Sequence, residues 1–210
     1  MPAAPTLVLF VRHGTTPTTG KVLPGRARGL HLSEQGREQA QRAAARIAEV
    51  GKIAAVYSSP LERARETAAP IARLARKTKR IERGLIECDL GAWTGLSLRR
   101  LMKKPEWSIV QRSPSTFRFP GGESFTEMQS RMVGTVDAIR RRHPGRAIVC
   151  VSHADTIKAA VAHATGTPLD LFQRIVISTC SVTAILYSDG GPVVITVNST
   201  GASLRDLRPS

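Results

Sequence analysis

The chain has 210 residues, enough to bury one sizeable core, and its composition is that of an ordinary globular protein. Formal net charge is +15, from 31 basic and 16 acidic residues, while aromatics make up only 4%. So few rings for base stacking, and no recognisable nucleic-acid module, argue against a nucleic-acid binder. Many basic residues instead fall where helices are expected to end, where cations complement the helix dipole. An anionic substrate is a further reading of the charge. No run approaches the ~18 apolar residues of a membrane span, and Met1–Thr6 lacks the basic stretch of a secretory leader. A cytoplasmic protein without a membrane partner is expected.

The pattern alternates strand and helix. Thr6–Val11 is a continuous apolar run rich in β-formers, predicted as a buried strand. Ser33 caps a predicted helix whose apolar face is Ala40, Ala43, Ala44, Ile47 and Ala48. Ile53–Tyr57 is a second buried strand. It runs into Ser59-Pro60-Leu61-Glu62, which predicts a helix capped by Ser59 and continuing to about Lys77. A shorter helix is expected near Leu96–Lys104, then a long loop, Pro105–Gly122, as a candidate lid. Phe125, Met128, Met132, Val136 and Ile139 mark a long amphipathic helix. Ala147–Val151 is a third buried strand, followed by a helix from Ala154 to about Thr165 that stops at Gly166. Arg174–Ile177, Val182–Tyr187 and Val193–Val197 read as strands, the last two joined at Asp189-Gly190-Gly191. These elements predict an α/β sandwich with a mainly parallel central sheet flanked by helices and an antiparallel C-terminal portion. One domain is expected over residues 1–210, with its core at about 6–199 and a frayed tail at 200–210.

Three widely spaced cysteines, Cys88, Cys150 and Cys180, contain no C-x-x-C pair and no C-x5-R phosphatase signature. Gly14–Lys21 superficially resembles a nucleotide-binding P-loop. It fails because five residues separate Gly14 from Gly20 and Val22 stands where Ser or Thr is needed.

Three strand ends carry unusual residues. The first ends in Arg12-His13-Gly14, the second leads into a helix presenting Arg63, and the third ends in Ser152-His153. Parallel strands bring such ends to one edge, where ligands bind in open α/β sheets. Two imidazoles and two guanidiniums there suit a phosphate, helped by the N-terminus of the helix opening at Ala154. The chemistry that follows is phosphoryl transfer.

Six ordered segments carry a specific resemblance. Arg12-His13-Gly14-Thr15-Thr16 resembles the R-H-G-[ET]-T signature of the histidine phosphatase superfamily, phosphoglycerate mutase-like branch. Leu32–Gly36 resembles L-[ST]-x-x-G, Ser58–Ala68 resembles S-[SD]-x-x-R-[AC]-x-[ED]-T-A, and Glu87–Gly95 resembles E-x-x-x-G-x-W-x-G. Gly122-Glu123-Ser124 with Arg131 resembles G-E-S…R, and Val151–Ala154 resembles V-[ST]-H-[GA]. Thr15–Gly20 and Val22–Arg26 are similar to an actinobacterial phosphomutase and acid phosphatase subgroup.

The resemblance implies a metal-independent phosphatase without cofactor, with a phosphoglycerate-type mutase or a non-catalytic phosphate binder as alternatives. It implies His13 as nucleophile, Arg12, Arg63 and His153 as the grip on the phosphoryl oxygens, and Glu87 as general acid and then base. Thr19 stands where many relatives place a phosphate-binding Asn. Asp89 is the nearest competitor of Glu87. The expected partners are a small phosphorylated substrate and inorganic phosphate as product, with a homodimer as a candidate assembly. Only 35 residues separate Glu87 from Glu123, short for a mutase insertion. Arg26, Arg112 and Arg118 are the candidate substrate or lid contacts.

Overall fold

The computed structural model describes residues 4–201 and 203–207. Six strands form one sheet: β1 (Thr6–Arg12), β2 (Ile53–Ser58), β3 (Lys79–Ile81), β4 (Ala147–Ser152), β5 (Val182–Ser188) and β6 (Gly191–Ser199). The order is β3-β2-β4-β1-β5-β6. The first four are mutually parallel, while β5 pairs antiparallel with β1, and β6 with β5. The mixed α/β sandwich expected from the sequence is therefore present.

Strand β1 shows why the sheet sits in the middle. Alternate side chains leave opposite faces of a strand, so Leu7, Leu9 and Val11 join one core and Val8 and Phe10 another. The first core is closed by α1 (Glu34–Ala48) and α2 (Glu62–Leu74) through Ala44, Ile47, Ala64, Ala68 and Ile71. The short helices α3 (Leu98–Leu101) and α4 (Glu106–Arg112) come next in the chain, and the second core is closed by α5 (Phe125–Arg140) and α6 (Ala154–Thr165). Met132, Val136, Ile139, Ile157 and Ala160 fill it. Helix ends follow local chemistry: Ser33 caps α1, a reciprocal Ser124–Glu127 capping box starts α5, and Gly166 at φ 67° ends α6. Ala48, expected on the apolar face of α1, is exposed.

The segment expected as a lid loop is built differently. It holds α4 and a 3-10 turn at Pro114–Thr116, and it buries Val110, Phe117 and Phe119. Four of the five phenylalanines and Trp93 form a chain, with centroid separations of 5.3 Å (Trp93–Phe117), 5.0 Å (Phe117–Phe119), 5.2 Å (Phe119–Phe125) and 5.1 Å (Phe125–Phe172). The scarce aromatics are thus concentrated in a third core beside the sheet, which fixes this segment in place.

Other expectations are corrected. Arg174–Ile177 is not a strand: Leu169–Arg174 is a 3-10 helix, and both edges of β1 are already taken by β4 and β5. Helix α2 starts at Glu62 with Leu61 as its uncapped N-cap and ends at Leu74, short of Lys77. Ser59 remains extended, its N–H donating to Val151 O at 2.9 Å. The described part of the tail is docked, because Leu204 is 2% exposed and Glu49 accepts from the Leu204 N–H and the Ser203 hydroxyl.

Candidate active site

The sheet order places β2, β4 and β1 side by side, and register aligns their C-terminal ends: Ser58 faces Val151 and Arg12 faces Ser152. Each chain then leaves the sheet at the same edge. His13 and His153 follow directly, with ring centroids 5.2 Å apart. Arg63 enters from the first turn of α2 and is 1% exposed, although it is a full-length guanidinium.

His13 is 6% exposed, and its Nδ1 lies 2.8 Å from the Gly14 carbonyl. A carbonyl only accepts, so Nδ1 carries the proton and Nε2 keeps its lone pair. Burial, then the charges of Arg63 and Arg12, push the imidazole down to about 3, so the ring is neutral at physiological pH. His153 is likewise held well below the ordinary histidine range by burial, Arg63 and His13. Its Nε2 meets Ser59 Oγ at 2.8 Å. Ser59 Oγ accepts the Leu61 N–H and has its own proton to give Nε2, which leaves His153 Nδ1 as an N–H donor.

Among the described residues, three buried nitrogens of this cluster have no hydrogen-bond partner: Arg12 Nε, Arg63 Nε and His153 Nδ1. Leaving such groups unmet is expensive, and one ligand that accepts from all three resolves it. Each guanidinium is anchored on a carbonyl, Arg12 through Nη1 on Ile177 O at 2.7 Å and Arg63 through Nη2 on Gly25 O at 2.7 Å. Two buried cations held by backbone carbonyls, each with an unpartnered Nε–H, suit a tetrahedral oxyanion.

The loop carrying His13 is held by backbone packing. Thr15 O accepts from both the N–H and the hydroxyl of Ser33, which also caps the Gly36 N–H at 3.1 Å. A Cβ on Gly36 would lie 2.0 Å from Thr15 O, and one on Gly14 would lie 2.6 Å from Gly36 O. Both glycines are therefore required for α1 to seat against the loop. Thr67 Oγ1 accepts the Gly14 N–H at 3.0 Å.

Glu87 is half-buried, accepts the Cys88 N–H at 2.9 Å, and is raised to about 7 by burial and the neighbouring Asp155 charge, against the pull of Arg63 and Arg12. Its backbone is stapled in place. Arg131 donates to the carbonyls of Gly84 and Ile86 and pairs with Glu123 at 2.9 Å, while Arg26 donates to Glu87 O at 2.9 Å and also pairs with Glu123.

Arg12, His13, Arg63, His153 and Glu87 therefore converge as expected, and Ala154 opens α6 beside His153. The remaining candidates are engaged elsewhere or exposed. Thr19 accepts the Thr16 N–H at 2.9 Å and meets the Thr16 hydroxyl at 3.0 Å, so its short side chain shapes the turn. Arg26 braces the Glu87 segment. Arg118 is exposed and bonded to Glu127 and Gly122 O, and Arg112 is exposed on the last turn of α4. Asp89 pairs with Arg26 and accepts the Gly91 N–H. The carboxylate beside Glu87 is Asp155, which the sequence reading missed although it stands two residues after His153. Ser59, expected as a helix cap, is instead the partner of His153. Among the described residues, no group of three or more His, Cys, Asp or Glu side chains is arranged to hold a metal ion.

A family model for the histidine phosphatase superfamily (branch 1) matches residues 8–200. The chain belongs to that superfamily. It is 31% identical over 181 residues to phosphoserine phosphatase 1 of Hydrogenobacter thermophilus, covering 84% of this chain and 85% of that one. It is 34% identical over 205 residues to a bifunctional protein of Mycobacterium tuberculosis, covering 94% of this chain. It spans 55%, about half, of the length of that protein and of two other mycobacterial relatives it matches. Among solved structures, phosphoserine phosphatase from Entamoeba histolytica in complex with 3-phosphoglyceric acid superposes with a TM-score of 0.83 at 25% identity, covering 93% of this chain and 98% of that one. A mycobacterial glucosyl-3-phosphoglycerate phosphatase gives 0.83 at 24% identity, over 93% and 99%, and shows the shared fold.

Proposed function

We propose that the protein is a phosphatase that hydrolyses small phosphate monoesters through a phosphohistidine on His13. The observation that carries this reading is the set of three unpartnered buried donors, Arg12 Nε, Arg63 Nε and His153 Nδ1, around an imidazole whose Nε2 lone pair is free. The kinship with phosphoserine phosphatases supports the hydrolytic direction.

In the first step the Nε2 lone pair of His13 attacks phosphorus and the ester P–O bond breaks. The protonated Glu87 carboxyl gives its proton to the departing alcohol oxygen. Arg12, Arg63 and His153 hold the non-bridging oxygens, where their charge and dipoles stabilise the transferring group. In the second step water attacks the phosphoryl group, the P–N bond breaks, and the Glu87 carboxylate takes the proton from water. A carboxyl raised to about 7 suits both directions of that transfer.

The test is turnover of p-nitrophenyl phosphate and an ester panel including phosphoserine and 3-phosphoglycerate, by the wild type and by His13→Ala. Phosphate release that disappears with His13 is expected. Isomerisation of phosphoglycerate without phosphate release would replace hydrolysis by mutase chemistry, and full activity in His13→Ala would reject the mechanism.

A further inference from the structure

Past Glu87 the site continues into a cavity of about 190 Å³ that also reaches Gly25, whose carbonyl anchors Arg63. With Glu87 as proton donor to the alcohol oxygen, this is the cavity that adjoins the leaving group. A larger and more open groove of about 590 Å³, lined by Arg42, Arg46 and Cys180 among others, contains none of the site residues. The smaller cavity is lined both by apolar side chains, Leu90, Trp107, Phe119 and Phe125, and by the polar Asp155, Lys158 and Gln173.

Lys158 stands one helical turn beyond Ala154 on α6, and its side chain is only 16% exposed. Its ammonium donates to Gln173 Oε1 at 2.9 Å and Asp155 Oδ1 at 3.2 Å, and lies 5.8 Å from the centre of the Phe172 ring. Those two bonds fix the ammonium in position and leave one of its three N–H donors for a guest. A fixed cation and several aromatic side chains lining one cavity favour a guest with both a hydrocarbon body and an acceptor oxygen.

We infer that Lys158 is a specificity-determining residue of the leaving-group pocket, selecting short-chain phosphate monoesters whose alcohol carries a hydroxyl or carboxylate oxygen. This rests on the phosphatase reading of the same site. A cavity of about 190 Å³ has room for a three-carbon alcohol beside Glu87.

Three esters of equal chain length test it: propyl phosphate without an acceptor, glycerol 1-phosphate with hydroxyls, and 3-phosphoglycerate with a carboxylate. In the wild type kcat/KM for at least one oxygenated ester is expected to exceed that of propyl phosphate roughly 10- to 100-fold, the range of a hydrogen bond to a charged group. Which of the two leads identifies hydroxyl or carboxylate as the recognised oxygen. In Lys158→Met the preference is expected to fall within threefold of unity. The double variant Lys158→Met/Asp155→Asn, which leaves no unpaired carboxylate, is expected to do the same. No preference in the wild type, or a preference that survives both variants, would overturn the assignment. If the wild type turned over none of the three, the hydrolytic reading would fail. Calorimetric titration of the His13→Ala protein with the same ligands, with and without Lys158→Met, would then read the selection by binding alone.

Discussion

Replacing Glu87 by Gln tests the general acid through stability as well as rate. Burial and Asp155 raise this carboxyl from 4.5 to about 7. Keeping it ionised in the fold therefore costs on the order of 3 kcal/mol above pH 7, since each pKa unit is worth about 1.4 kcal/mol. The folded state holds the proton more tightly than the unfolded chain. That stability is fully present below pH 4.5 and is lost as pH climbs through 7. Glutamine keeps the shape and never ionises. Urea unfolding at pH 8 should therefore find Glu87→Gln more stable than the wild type by up to about 3 kcal/mol, and the gain should shrink towards zero near pH 4.5. In rate assays the same variant should lose about a hundredfold or more on alkyl phosphates and much less on p-nitrophenyl phosphate, whose leaving group needs little protonation. The wild-type rate should fall as pH rises through about 7 and the acid loses its proton. A stability difference independent of pH, or equal losses on both leaving groups, would refute the reasoning.

Arg12→Ala and Arg63→Ala should each reduce kcat/KM about a hundredfold or more, measured on p-nitrophenyl phosphate, because each removes an oriented donor from the transferring group. Gly36→Ala places a methyl 2.0 Å from the Thr15 carbonyl. Thermal unfolding should show a loss of roughly 1–3 kcal/mol or more, with activity falling as the His13 loop is displaced. Leu204→Ala should cost about 2–3 kcal/mol in denaturant unfolding without changing KM, since the side chain is buried in the α1–α2 core far along the chain from the site.

The strands that build the site were legible because they are buried on both faces. Leu7–Val11, Ile53–Tyr57 and Ala147–Val151 are uninterrupted apolar runs, and their parallel pairing carries Arg12, Ser59 and His153 to one edge. Strand β3 was invisible, since Lys79-Arg80-Ile81 is a short edge strand with no apolar run. The segment 105–122 misled because Pro105 and Pro114 read as breakers, whereas the burial of Val110, Phe117 and Phe119 overrides them. The Ser59-Pro60 dipeptide carried a helix-cap pattern, but its hydroxyl is engaged by His153 from a strand distant in sequence. Local patterns do not record such a partner. The same limit hid Asp155 and Lys158, whose roles come from facing Glu87, Gln173 and a cavity, all reached through tertiary packing.

The central claim is a covalent phosphate on His13, and its tautomer makes the claim specific to one atom. With Nδ1 committed to the Gly14 carbonyl, phosphorylation must occur on Nε2. Protein quenched in base during turnover and analysed by mass spectrometry and phosphorus NMR should carry phosphate on Nε2 of His13, absent from His13→Ala. Phosphate on Nδ1, on another residue, or on none during sustained turnover would contradict the account.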